Sequence, residues 1–224
     1  MRPAVALAFV LVCSLEVFAQ SAPAPRRPPP PPLPPPTFEL GGYAMVGAMN
    51  FTAADSFDVI LGSPSGAIFG GGARIGLPLG GLFVDVGAWR FRGEGERAFV
   101  FEGEEFPLGI PVEVGVTPLE VSAGWQFRLR RTPKLRPYVG GGFSSYRYTE
   151  TSASATDAED VDARFGGYHV LGGAEYRIAQ FVSLSGEAVW ATVPDALGES
   201  GVSAAFDETD LGGTSFRFKI TIGR

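Results

Sequence analysis

The sequence predicts an all-β fold, an eight-stranded antiparallel up-and-down transmembrane β-barrel, on three observations. Residues 213–223 alternate without a break, with Phe216, Phe218, Ile220 and Ile222 on one face and Ser215, Arg217, Lys219 and Thr221 on the other. Seven more segments of strand length precede them, and the connections between segments are alternately short and long. Mean hydropathy is positive at +0.14. Beyond the N-terminus no apolar run reaches about 18 residues, which excludes a bundle of spanning helices and leaves a barrel as the membrane option.

The N-terminus precedes this pattern. Met1-Arg2 and the apolar stretch from Ala4 to Phe18 read as a secretory signal peptide, residues 1–19, cut after Ala19. Cys13, the only cysteine, lies inside it, so the mature chain is expected to lack disulfides, thiol catalysis and cysteine metal sites. Residues 20–37 are expected as a proline-rich periplasmic tail, with residues 22–36 in polyproline II and spanning roughly 45 Å at about 3.1 Å per residue. Such a tail is either a stiff spacer or a docking segment for a periplasmic partner.

The barrel domain is expected over 38–224, with strands at 38–50, 67–77, 82–92, 112–129, 137–149, 166–177, 181–192 and 213–223. An even number of strands brings both ends of the chain to one side of the membrane. Connections after the second, fourth and sixth strands are short; those covering residues 51–66, 93–111, 150–165 and 193–212 are long and hold most of the 24 acidic residues. The fourth strand changes parity between Val112, Val114, Val116 and Leu119, Val121, Ala123, with Thr117-Pro118 at the switch, which predicts a β-bulge there and an extension of the barrel beyond it. Aromatic residues fall near both strand ends, Phe38, Phe83, Trp125, Phe127, Tyr138, Tyr176 and Phe181 on the turn side, and Phe69, Trp89, Phe91, Tyr146, Tyr148, Tyr168, Trp190 and Phe216 on the loop side. Some of them are expected to point inward, because parity is ambiguous in the third and fifth strands.

Alternation alone fits a soluble lipocalin-like binder as well as a membrane barrel, since the same strands serve either when turned over. The polar face decides for the membrane: it is rich in Gly and Ser, which suit a narrow lumen, and it carries both charge signs. An Arg or Lys facing lipid at the midplane costs roughly 2–4 kcal/mol. The expected lumen charge network is therefore Glu39, Arg74, Asp85, Glu120, Arg128, Glu175, Arg177, Glu187, Arg217 and Lys219, with Glu39 paired to Lys219 or Arg217 across the closing seam. Eight strands enclose an interior that side chains can fill, so little or no continuous pore is expected.

Signal peptide, eight strands, long and short connections and an amphipathic final strand together resemble the small eight-stranded outer-membrane proteins, the group of the OmpA barrel domain and OmpX. Arg224 departs from that group, whose members usually end on an aromatic residue. The resemblance implies an integral protein of the bacterial outer membrane with extracellular loops and periplasmic termini, and as partners outer-membrane lipids, lipopolysaccharide and the barrel-assembly machinery. It also implies a structural or surface-interaction role, with a small-solute channel as the alternative.

Some barrels of this kind modify lipid A with a Ser and a His near the outer leaflet, and His169, the only histidine, has Ser144 and Ser145 within reach on the neighbouring strand. No closely spaced His-x-Ser motif supports an enzyme, so no catalytic residue is expected and His169 reads as a polar lumen or rim residue. Asp157 to Asp162 reads as a solvated acidic loop, since the EF-hand glycine and terminal glutamate are missing. Gly70-Gly71-Gly72 and Gly140-Gly141-Gly142 lack the Gly-Lys signature of a nucleotide loop. No metal or cofactor is expected, and a net charge of −6 argues against nucleic acid as a partner.

Overall fold

The computed structural model describes residues 38–101, 104–152, 161–198 and 201–223. The expectations for residues 1–37 and Arg224 lie outside these, as do Asp157, Glu159 and Asp160 of the acidic loop.

Eight strands close into one barrel in sequence order, each antiparallel to the next: β1 (Glu39–Phe51), β2 (Ser65–Gly76), β3 (Leu82–Phe101), β4 (Glu104–Gln126), β5 (Leu135–Ser152), β6 (Val161–Arg177), β7 (Val182–Thr192) and β8 (Gly213–Gly223). β8 seals the barrel against β1 from Gly41↔Gly223 to Phe51↔Gly213. Closure leaves the barrel itself without a free edge strand, which is how an up-and-down sheet removes a template for aggregation. Burial alternates along β8 as its sequence does, from buried Ser215, Arg217 and Lys219 to exposed Phe216, Phe218 and Ile220.

Two expectations about β3 and β4 are corrected. Residues 93–111 were expected as a loop, but most of them continue the two strands into a tall hairpin reaching Phe101 and Glu104. No bulge forms at Thr117-Pro118: the β4–β5 register runs unbroken from Val112↔Ser152 to Gln126↔Tyr138, and the shift in the β3–β4 ladder sits between Glu96 and Ala98. Val112, Val114 and Val116 share the inward face with Glu120 and Ser122. The apolar residues change parity because the interior changes character along the barrel, polar toward the turns and apolar toward the loops.

Two short helices, not anticipated in the long connections, close the loop end: α1 (Ala54–Leu61) and α2 (Gly201–Ala205). A helix as short as α1 is not stable alone. Phe57, Ile60 and Leu61, spaced for one face, pack on the apolar interior, with Phe57 stacked on Phe51 at 4.1 Å between ring centroids. Its Ala53 N-cap offers no side-chain acceptor. Glu208 from the β7–β8 connection supplies one, accepting from the backbone N–H groups of Asp55 (3.1 Å) and Ser56 (2.9 Å). At the other end Gly62 adopts the left-handed conformation (φ 73°) and donates its N–H to the Asp58 carbonyl at 2.7 Å. α1 lies so close on β3 that a Cβ at Gly95 would stand 1.8 Å from the Ile60 carbonyl oxygen, which only glycine permits.

Among the described residues no helix is long and apolar enough to cross a membrane.

Candidate functional site

The barrel interior has two layers. Toward the turns it holds a connected set of charges. Arg74 and Asp85 are directly paired across β2 and β3 and meet at 2.9 Å. The Arg74 guanidinium lies over both the Phe83 and the Tyr138 ring, at 4.4 and 4.5 Å from their centroids, where the ring faces attract a cation. It also approaches Glu187 (3.8 Å) and Glu175 (4.0 Å). Tyr43 on β1 donates its hydroxyl to the other Asp85 oxygen at 2.7 Å.

Next toward the loops, Lys219 meets Glu187 at 2.9 Å and lies over the Tyr43 ring, while Tyr138 donates its hydroxyl to Glu187 at 3.1 Å. Arg217 crosses the lumen from β8 to β4 and forks onto Glu120 with two bonds of 2.6 and 2.8 Å. The Trp89 indole N–H completes that carboxylate at 2.8 Å. These charges are almost fully withdrawn from solvent, with the Arg217 and Glu187 side chains 3% and 0% exposed. At such burial an ion is tolerated only with close, hydrogen-bonded counter-charges.

The expected pairing of Glu39 with Lys219 or Arg217 does not occur. Met45 and Gly47 stand opposite Lys219 and Arg217, six and eight residues along β1 from Glu39, which places those cations roughly 20 Å or more along the strand. Glu39 instead accepts from Arg136 (3.1 Å) and lies 3.6 Å from Arg128 near the turn-side mouth. Arg177 lines that mouth with no ion pair among the described residues. Sequence reasoning missed Arg136, Tyr43, Trp89 and Tyr138 as members of the network, although the inward parity of Tyr43 with Glu39 was available.

His169 is buried between two serines, with Ser144 Oγ 2.8 Å from Nδ1 and Ser122 Oγ 2.7 Å from Nε2. Ser145 faces outward. Among the described residues no group of three His, Cys, Asp or Glu could hold a metal ion.

The loop-side layer is an apolar plug. Met45, Met49, Ile68, Trp89, Phe91, Val114, Val116, Tyr146 and Tyr148 point inward from five strands and meet Phe57 of α1 and Val193, Ala196 and Leu211 of the β7–β8 connection. Asp210 shapes that connection by accepting from the N–H groups of Val193 and Gly212, both at 2.7 Å, and from the Thr192 hydroxyl.

Outside, the wall is apolar and exposed. Val46, Phe69, Val121, Phe143, Val170, Trp190, Phe216, Phe218 and Ile220 contribute to it, with Phe143 77% and Phe218 69% exposed. Of the expected aromatic belts, Phe38, Trp125, Phe127, Tyr176 and Phe181 ring the turn edge, and Phe69, Tyr168, Trp190 and Phe216 the loop edge. Phe83, Tyr138, Trp89, Phe91, Tyr146 and Tyr148 point inward. A soluble lipocalin-like barrel has the reverse arrangement, with a polar exterior.

Loopward of the aromatic edge the outer face turns ionic. Arg147 stands opposite Arg164 there, and Arg90 lies at the edge itself, opposite Phe69. Arg147 forks onto Asp162 at 2.9 and 2.6 Å, and these hydrogen bonds hold the Asp162 carboxyl below its ordinary pKa.

No protein-family model matches the chain, and no curated protein matches it in sequence. Solved structures match its fold. Neisserial surface protein A aligns over 83% of this chain and 96% of its own, at 13% identity and a TM-score of 0.52. A major outer membrane protein from Thermus thermophilus aligns over 84% and 99%, at 11% identity and 0.53. The outer membrane protein OprG from Pseudomonas aeruginosa aligns over 84% and 95%, at 13% identity and 0.51. The chain has the fold of the small eight-stranded outer-membrane β-barrels, closed, all-antiparallel and up-and-down.

Proposed function

We propose that this chain is an integral barrel of the bacterial outer membrane with a structural or surface-interaction role. The observation that carries the reading is an exposed apolar wall, edged by aromatic rings, around a lumen whose charges neutralise one another and whose loop end is filled by packed side chains. Such a wall is costly in water and suited to hydrocarbon, and every inward charge has been spared contact with lipid.

The acidic, helix-bearing loop end lies outside the cell; the turns, with Arg130, Arg131 and Lys134, and both termini lie in the periplasm. Lipopolysaccharide phosphates meet Arg90, outward at the aromatic edge, and Arg147 and Arg164, outward beyond it. The barrel-assembly machinery inserts the chain, and the proline-rich tail is a spacer or the docking segment for a periplasmic partner.

A lipid A-modifying activity is not supported. Ser144 does reach His169, but both point into the packed interior, away from lipid, and His169 is 2% exposed with both ring nitrogens engaged by serines. A conducting role is opposed by the apolar plug. The test is membrane fractionation with a boiled-against-unboiled gel. Recovery in the outer-membrane fraction with a heat-dependent mobility shift is expected; recovery in the soluble periplasm overturns the proposal.

A further inference from the structure

The turn side of the barrel gathers its charge on one connection. Residues 77–81 and 178–181, which join β2 to β3 and β6 to β7, hold no charged side chain, whereas residues 127–134, between β4 and β5, hold Arg128, Arg130, Arg131 and Lys134 and no acid. Arg128 lies 3.6 Å from Glu39 at the mouth. Arg130, Arg131 and Lys134 are exposed, and among the described residues no carboxylate lies within salt-bridge distance of any of them. The backbone braces the turn: Phe127 donates its N–H to the Pro137 carbonyl at 2.8 Å, Leu135 to Thr132 at 3.0 Å, and Arg177 of β6 to Lys134 at 2.9 Å. Three uncompensated cations are thus held together on a tied loop, and what answers them comes from outside the chain.

Their level along the barrel narrows the choice. Trp125, Phe127 and Leu129 are exposed at alternate positions up to Arg130, and Tyr176 and Ile178 continue the same apolar rim at the end of β6. Aromatic rings mark the boundary between hydrocarbon and headgroups, so cations just beyond them stand at the level of lipid phosphates. A guanidinium fork matches a phosphate, and one cation beside an anionic leaflet is worth about a fivefold preference.

We propose that this turn gathers phospholipids with anionic headgroups, their phosphates on Arg130, Arg131 and Lys134 and their acyl chains along Trp125, Phe127 and Leu129. The proposal rests on the reading of the chain as a membrane barrel and adds to it a lipid selectivity at the end away from the lipopolysaccharide.

The test uses the full chain with Cys13 replaced and a fluorophore attached at Leu129→Cys, folded in phosphatidylcholine bilayers. These hold equal fractions of either phosphatidylglycerol or phosphatidylcholine carrying a nitroxide quencher high on one acyl chain. Quenching by the phosphatidylglycerol probe is expected to exceed that by the phosphatidylcholine probe as if its local concentration were about fivefold higher, and to lose most of this excess at high salt. A fluorophore at Val46→Cys, on the far wall, is expected to show no such preference. Arg130→Gln/Arg131→Gln/Lys134→Gln abolishes the preference at position 129. Heat-dependent gel mobility certifies the barrel in each variant, so that a lost lipid preference is told apart from a lost fold. Equal quenching by the two probes at position 129, the same preference at position 46, or a preference that survives the triple variant overturns the proposal. Co-sedimentation with purified peptidoglycan that the triple variant loses, together with equal quenching by the two lipids, assigns the turn to the cell wall and overturns it as well.

Discussion

Replacing Glu120 by Gln keeps the side-chain volume and an oxygen for the Trp89 N–H, but removes the charge that Arg217 grips at 2.6 and 2.8 Å. The guanidinium has nowhere to go. Its side chain is 3% exposed, and the next carboxylate, Glu187 at 3.9 Å, already holds Lys219 at 2.9 Å. At an effective dielectric of about 20 the lost attraction is about 6 kcal/mol, reduced by what Glu187 still supplies. The expected loss is about 3–5 kcal/mol, as for other buried pairs broken on one side. Urea unfolding of the barrel in lipid vesicles, followed by tryptophan fluorescence and gel mobility, measures it. The double variant Glu120→Gln/Arg217→Met leaves no orphaned charge and is expected to recover most of the loss. A loss below about 1 kcal/mol in the single variant, or a double variant as unstable as the sum of its parts, refutes the claim that this pair is desolvated and mutually required.

Glu208→Ala removes the acceptor of two α1 N–H groups and is expected to cost about 1 kcal/mol locally, seen as faster amide exchange over 54–61 with the strands unchanged; equal exchange counters it. Gly95→Leu puts a side chain where the Ile60 carbonyl lies, so α1 is displaced and proteolysis within 52–64 accelerates while the heat-dependent gel shift persists. Carbon-detected NMR of Asp162 is expected to show a titration midpoint below that of an ordinary aspartate, rising toward the ordinary value in Arg147→Ala while Arg164 still lowers it somewhat. Because the folded carboxyl is depressed, the stabilisation from this pair is present above the unfolded pKa and lost as pH falls through the folded one.

What could be read from the sequence was the part governed by period two. In β8 each residue answers one question, lipid or lumen, and its sequence matches its burial throughout. β4 shows where that logic fails. Val112, Val114 and Val116 share a face with Glu120 because the barrel interior is polar at one end and apolar at the other, a distinction that lies between strands and not within one. Residues 54–61 are too short a segment for its period to separate a helical turn from a loop, and α1 is held in place by Glu208, some 150 residues on, which caps it. The charges of the lumen were legible as inward, but their partners were not. Arg74 and Asp85 are neighbours in the sheet, whereas the Glu120–Arg217 and Glu39–Arg136 pairs cross the lumen and depend on closure and register. Arg136, next to a proline and close to a basic turn, carried no sign of facing inward.

The lipid-facing wall is tested most directly by spin labels placed one at a time at Val46, Val170, Phe218 and Ile220 in the full chain with Cys13 replaced, reconstituted in bilayers. Each label is expected to collide freely with dissolved oxygen and to be shielded from an aqueous nickel complex. Labels at these positions that are open to nickel and poor in oxygen collisions would contradict a membrane-embedded barrel.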